Sequence, residues 1–164
     1  MTLRIAEGGL DDPRVQALLG IHLAMARAAT AEGFAFALDP SGLRLPEIRF
    51  FGAWDGEKLL GVGALKRTAP EQGEVKSMHT AEAARRRGVG GAMLRHIVAE
   101  ARATGLTRLN LETGTGAYFR PAVALYLAHG FVPCGPFGDY VASSENRFLT
   151  LALRQSRSRS GGLT

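Results

Sequence analysis

The chain has 164 residues, of which 46% are hydrophobic, 21% charged and 7% aromatic, the size and composition of one globular domain with room for a core. Its single cysteine, Cys134, excludes an internal disulfide framework and any all-cysteine metal site. No apolar run approaches the roughly 18 residues of a membrane span, and charges scattered through the first twenty residues interrupt the apolar stretch a signal peptide needs, so a cytoplasmic protein is expected.

Thr2 to Ala6 alternates weakly and predicts a first strand. Asp12 and Pro13 supply a cap and a first-turn proline, and Val15, Leu18, Leu19, His22, Leu23 and Ala26 follow at helical spacing. His22 falls on that apolar stripe and reads as a buried core histidine. Thr30 to Glu47 has no period and contains Asp39-Pro40-Ser41-Gly42, the composition of an irregular loop. Arg49 to Trp54 and Lys58 to Arg67 are strand-like and flank Asp55-Gly56, a strong hairpin signal. Glu74 to Thr80 is the next strand, giving three antiparallel strands joined by tight turns.

From Gly88 to Thr104 the period becomes helical, with Val89, Ala92, Met93, Ile97, Val98 and Ala101 on one stripe. Leu106 to Glu112 alternates as a strand. Ala117 to His129 predicts a second helix ending at Gly130, and Asn146 to Leu153 a last strand. The succession defines an α/β fold with a mixed central sheet: antiparallel strands first, then one parallel crossover, flanked by helices. Residues 1–153 are expected to form the domain. Residues 154–164, rich in Ser, Arg and Gly, are expected to form a flexible basic tail.

The net charge of +5 comes from 20 basic and 15 acidic residues. Six of the arginines lie in Arg85, Arg86, Arg87 and in Arg154, Arg157, Arg159; without them 14 basic residues face 15 acidic ones. The basicity is local, which favours one focused anion site over a polyanion track, and no nucleic-acid partner is expected. The site itself is legible where the strand from Glu74 runs through Arg85-Arg86-Arg87 into Gly88, Gly90 and Gly91 at a helix start. Free N–H groups and the helix dipole attract anions there, glycines admit a phosphate close to the backbone, and no acid occupies the first turn. The pattern is neither a Walker A loop nor a dinucleotide fingerprint. It reads as a diphosphate site.

Arg85-Arg86-Arg87-Gly88-Val89-Gly90 resembles the Gln/Arg-x-x-Gly-x-Gly/Ala motif of the GNAT N-acetyltransferases. Ala122-Val123-Ala124-Leu125-Tyr126-Leu127-Ala128-His129-Gly130-Phe131 resembles that family's Ala-x-x-Leu-Tyr-x-x-x-Gly-Phe segment. The likeness runs from Leu3 to Leu153. It implies a GNAT fold, acetyl-CoA (coenzyme A) as cofactor, and transfer of an acetyl group to a primary amine of a small molecule or protein by direct attack in a ternary complex. It further implies that the amides of Arg86 to Gly91, with Arg85, Arg87 and Val89, cradle the pyrophosphate. Met78, His79 and Thr80 stand where the family lends main-chain groups to the pantetheine arm. Tyr126 matches the tyrosine that protonates the departing thiolate. Phe119 stands where many members have an asparagine, a departure at a cofactor contact. Dimers are frequent among similar proteins.

Glu74 is the leading candidate base, because it precedes Arg85 by a spacing that resembles the glutamate base of the family's histone acetyltransferases. Glu112, at the end of the next strand, is the runner-up. Strand alternation places Glu74, Lys76 and Met78 on one face and His79 on the other. The loop from Phe34 to Arg49, with Tyr118 and Phe137 to Tyr140, is expected to shape the acceptor pocket, with Arg44 and Arg49 available to an acidic group on the acceptor. No metal-ligand spacing is visible. The competing expectation is a CoA-binding regulatory module that has lost turnover.

Overall fold

The computed structural model describes residues 1–36 and 40–154. Asp39 of the expected loop, and the tail beyond Arg154, lie outside the described residues. Strand β1 (Arg4–Glu7) leads to α1 (Pro13–Ala28). Strands β2 (Ile48–Asp55), β3 (Lys58–Ala69) and β4 (Gln72–Thr80) follow. Then come α2 (Val89–Ala103), β5 (Arg108–Gly114), α3 (Arg120–Ala128), β6 (Val132–Pro133) and β7 (Asn146–Ala152). The sheet has seven strands in the order β1-β2-β3-β4-β5-β7-β6. Only β4 and β5 pair in parallel. Among the described residues no helix is long and apolar enough to cross a membrane.

Local chemistry explains most boundaries. Asp12 accepts the Arg14 backbone N–H at 2.8 Å and Pro13 opens α1, as the Asp-Pro pair predicts. Gly56, at φ +57°, turns the β2–β3 hairpin. The segment expected as one helix from Ala117 to His129 is divided: a 3₁₀ turn spans Ala117–Phe119 and α3 begins at Arg120, with Pro121 in its first turn. Proline is comfortable there and would break a continuous helix three residues further in. The two-residue β6 was not expected, since two residues carry no alternation to read.

One apolar core fills the face under α2 and α3, around Phe51, Val75, Met93, Ile97, Leu109, Phe131 and Leu149. A second lies under α1, around Val15, Leu19, Phe50, Trp54 and Val62. Gly63 lets α2 close on the sheet: a Cβ there would stand 2.8 Å from Met93 Cγ, 2.9 Å from Met78 Sδ and 3.0 Å from Ile97 Cδ1.

Two irregularities of β4 shape the site. Pairing runs Ala64 with Lys76 and then Val62 with His79, so Ser77 and Met78 together oppose Gly63 in a bulge. Ser77 takes φ +55°, the left-handed region that a non-glycine residue adopts only under constraint. The extra residue overturns the expected alternation. Met78 packs into the α2 core, away from Glu74 and Lys76, whereas His79 reaches His22 of α1 on the opposite face. The second irregularity is the loss of the β4–β5 ladder after Glu74 and Asn110. Beyond that point β4 follows β3 to Thr80 and β5 follows β7 to Gly114, and the strands diverge.

Candidate functional site

The fork between β4 and β5 opens into a cavity of about 650 Å³. At one end the chain leaves β4 through Ala84 and reaches α2 by Arg86 at φ +63° and Gly88 at φ +78°. Two left-handed residues in so short a turn are the backbone pattern of anion-binding concavities. No side chain caps α2, and its first turn holds no acid. Missing side chains at Gly90 and Gly91 keep the concavity open; a Cβ on Gly90 would meet Leu125 Cδ2 at 3.1 Å and Thr80 Oγ1 at 3.5 Å. Thr80, Arg85, Arg86, Gly88, Val89, Gly90 and Gly91 line this end. Arg87 is exposed and does not line it.

Tyr126 and Phe119 also line the cavity. Tyr126 is buried on α3 with its ring 5.8 Å from that of Phe131. Burial pushes its phenol above the usual range, so it carries its proton at neutral pH. The Phe119 ring occupies the space where a Cβ on Gly114 would sit, so this aromatic fits at the end of β5 because position 114 has no side chain.

The remaining part of the cavity is bounded by Glu74, Lys76, Glu112, Tyr140, Glu145, His22, His79 and the segment from Phe34 to Phe36. Glu74 Oε2 accepts the Tyr140 hydroxyl at 2.7 Å and Lys76 Nζ at 3.2 Å, and Lys76 also donates to Tyr140 Oη at 2.8 Å. Burial, then the Glu74 charge, raises the Tyr140 phenol. Glu112 is different. Its Oε2 is buried without a hydrogen-bond partner, and burial pushes the carboxyl up to about 7, with Lys76 drawing it down and Glu74 pushing it further up. His22 Nδ1 and His79 Nδ1 lie 3.1 Å apart, so one ring donates and the other accepts. Burial lowers both histidines, His22 to about 4 with repulsion from His79 adding to it, and His79 with a smaller contribution from Arg85.

Of the residues expected from sequence, the cavity therefore gathers Phe34, Glu74, Met78, His79, Thr80, Arg85, Arg86, Gly88, Val89, Gly90, Gly91, Glu112, Tyr118, Phe119, Tyr126 and Tyr140, and leaves out Arg87, Phe137, Gly138 and Asp139. Arg44 and Arg49 do not line it. Arg44 pairs with Asp11 at 2.6 Å, and Arg49 bridges Glu7 at 2.7 Å and Glu100 at 2.8 Å, which ties α2 to the strands β1 and β2. The sequence reading missed Lys76, whose partner Tyr140 is sixty-four residues away, and treated His22 as core because its stripe position does not reveal the facing histidine.

The comparisons agree with this geometry. Residues 19–131 match the model of the acetyltransferase (GNAT) family. The uncharacterized N-acetyltransferase YedL of Escherichia coli is 45% identical over 144 residues, covering 88% of this chain and 91% of that one. The uncharacterized N-acetyltransferase YsnE of Bacillus subtilis is 41% identical over 144 residues, covering 88% and 95%. Among solved structures, a Bacillus subtilis acetyltransferase in complex with CoA superposes with a TM-score of 0.70 at 20% identity, over 93% of this chain and 100% of that one. The fold and the family match are those of an acetyl-CoA-dependent acyltransferase. This chain belongs to the GNAT acetyltransferase family.

Proposed function

We propose that the protein transfers the acetyl group of acetyl-CoA to a primary amine of a small molecule, by direct attack in a ternary complex. The observation that carries the reading is the placement in one cavity of an uncapped helix start reached through two left-handed residues, a buried protonated tyrosine, and a buried carboxyl raised to about 7. The amides from Arg86 to Gly91, with the Arg85 and Arg86 side chains, hold the pyrophosphate, and the strand from Met78 to Thr80 offers main-chain groups to the pantetheine arm. The glycine cradle fits this ligand because Gly88 has nothing within 4 Å of its Cβ position and Gly90 meets only side-chain atoms.

Acetyl-CoA supplies a thioester carbon to which the amine nitrogen bonds as the carbon–sulfur bond breaks and its electron pair leaves on sulfur. Two carboxylates are available to take the proton of the amine, and we assign that role to Glu112. Glu74 Oε2 already accepts two hydrogen bonds and holds Lys76 and Tyr140 in place, whereas Glu112 Oε2 has no partner and Glu112 titrates near the operating pH, where a general base is most effective. Tyr126 donates its proton to the sulfur. The proton that Glu112 takes from the amine returns through solvent to the phenoxide left on Tyr126, so the reaction ends with a neutral phenol, a neutral thiol and no added buried charge.

The test is acetyl-CoA-dependent thiol release in the native protein and in Tyr126→Phe. A fall in kcat of roughly 10²-fold or more, with the KM for acetyl-CoA within twofold, is the expected result. Unchanged kcat removes Tyr126 from the chemistry, and acetyl-CoA binding without transfer to any amine favours the regulatory alternative.

A further inference from the structure

We infer that the acceptor is a monoamine on an aromatic body, its ammonium directed at Glu112 and its ring set against Phe34, Phe36 and Tyr140. The inference rests on the acetyl-transfer reading and names the substrate class for it. Three features of the acceptor half lead to it.

The first is the balance of charge. The cationic side chains lining the described cavity are Lys76, Arg85 and Arg86. The two arginines belong to the anion end. Lys76 is only 10% exposed and is engaged by Glu74 and Tyr140, and His22 is held neutral, as its depression to about 4 requires. A carboxylate on the acceptor would thus enter beside Glu74, Glu112 and Glu145 with no free cation to meet it, which disfavours free amino acids.

The second is the count of unsatisfied acids. Glu74 is paired, and Glu145 Oε2 accepts the backbone N–H of Ala31 at 3.4 Å. Among the described residues, the buried carboxylate oxygen left without a partner is Glu112 Oε2. One such group matches one ammonium. A second cation of a polyamine or an aminoglycoside would find Glu74 already paired with Lys76 at 3.2 Å and would be repelled by Lys76 Nζ, which lies 5.6 Å from the centre of the Tyr140 ring.

The third is a stack of rings that ends in the open. Phe148 and Phe137 stand 5.7 Å apart, Phe137 meets Tyr140 at 5.2 Å, and Tyr140 meets Phe36 edge to face at 5.4 Å. Phe36 and the neighbouring Phe34 remain 42% and 41% exposed although both line the cavity. A ring placed between them continues the stack in the offset and edge-on arrangements aromatics prefer, and covers apolar surface that is otherwise wet.

The experiment is kcat/KM for thiol release by the full chain with 2-phenylethylamine, n-butylamine, L-phenylalanine and spermidine at saturating acetyl-CoA. Expected is a preference for 2-phenylethylamine of about tenfold or more over n-butylamine, and of about a hundredfold over L-phenylalanine and spermidine. Phe36→Ala, at an exposed position, should raise the KM for 2-phenylethylamine several times more than that for n-butylamine. Equal or better turnover of spermidine, L-phenylalanine or n-butylamine overturns the substrate class and leaves acetyl transfer standing. No thiol release with any of the four amines, in protein that binds acetyl-CoA, overturns both.

Discussion

Replacing Glu112 by glutamine keeps the shape of the side chain and removes a titration that the cavity moves into the physiological range. Burial raises this carboxyl from 4.5 to about 7, so the native state binds the proton more tightly than the unfolded chain does. The resulting stabilisation is complete below about pH 4.5 and is lost as the pH rises through 7, because the folded protein must then carry a charge it solvates poorly. At about 1.36 kcal/mol per pH unit the shift corresponds to ~3.4 kcal/mol at most, and solvent reaching the carboxyl reduces the working figure to ~2 kcal/mol. Denaturant unfolding at pH 5 and pH 8.5 should therefore show Glu112→Gln gaining about 2 kcal/mol on the native protein between the two conditions. In the same protein kcat/KM should rise through an inflection near 7; Glu112→Gln should lack the inflection and fall roughly 10²- to 10⁴-fold. An inflection near 7 that survives in the variant would show that another group is the base. A stability difference independent of pH would show that the carboxyl is not buried as described.

Gly63→Val places methyl groups where Met93, Met78 and Ile97 already lie within 3.0 Å of the Cβ position. It should cost about 1–3 kcal/mol and lower Tm; an unchanged Tm would refute the close approach of α2. His22, depressed from 6.5 to about 4, contributes stability that is present above pH 6.5 and lost as the pH falls through 4. His22→Leu should flatten that acid limb by up to ~3 kcal/mol in unfolding free energy, and an unchanged limb would assign the slope elsewhere. Arg49→Ala breaks the pairs with Glu7 and Glu100 and should cost about 1 kcal/mol without altering the KM for any amine; a raised amine KM would return Arg49 to the acceptor site.

The parts of this protein that were legible in its sequence are those set by local rules. Asp12-Pro13 announces α1, Asp55-Gly56 the first hairpin, and Gly88-Val89-Gly90-Gly91 an uncapped helix start. Parallel pairing of β4 with β5 followed from the helix that separates them. What was not legible depends on a single residue or on distant partners. Alternation along β4 fails at Ser77, whose φ of +55° no propensity announces, and with it failed the expected facing of Met78 and His79. The standing of Glu74 against Glu112 depends on Lys76 and on Tyr140, sixty-six residues from Glu74. Arg49 is identical in type to the arginines that line the cavity; its role is decided by Glu100, which a helix brings over the sheet.

The bulge and the fork act together. Without the extra residue at Ser77, His79 would join Val75 on the face that packs under α2, and a polar ring would have to be buried in that apolar core. With it, Met78 fills that space and the imidazole finds His22 instead. The price is local: Ser77 keeps a left-handed backbone and a buried hydroxyl with no partner, strain of the order of 1–3 kcal/mol that the β3 ladder on both sides must hold. On its β5 side the ladder has already stopped at Glu74, ahead of the bulge. Main-chain groups from there to Thr80 face a cavity in place of a neighbouring strand. In the acetyl transfer proposed above the unpaired edge itself is the binding surface, which gives the strain at Ser77 a use.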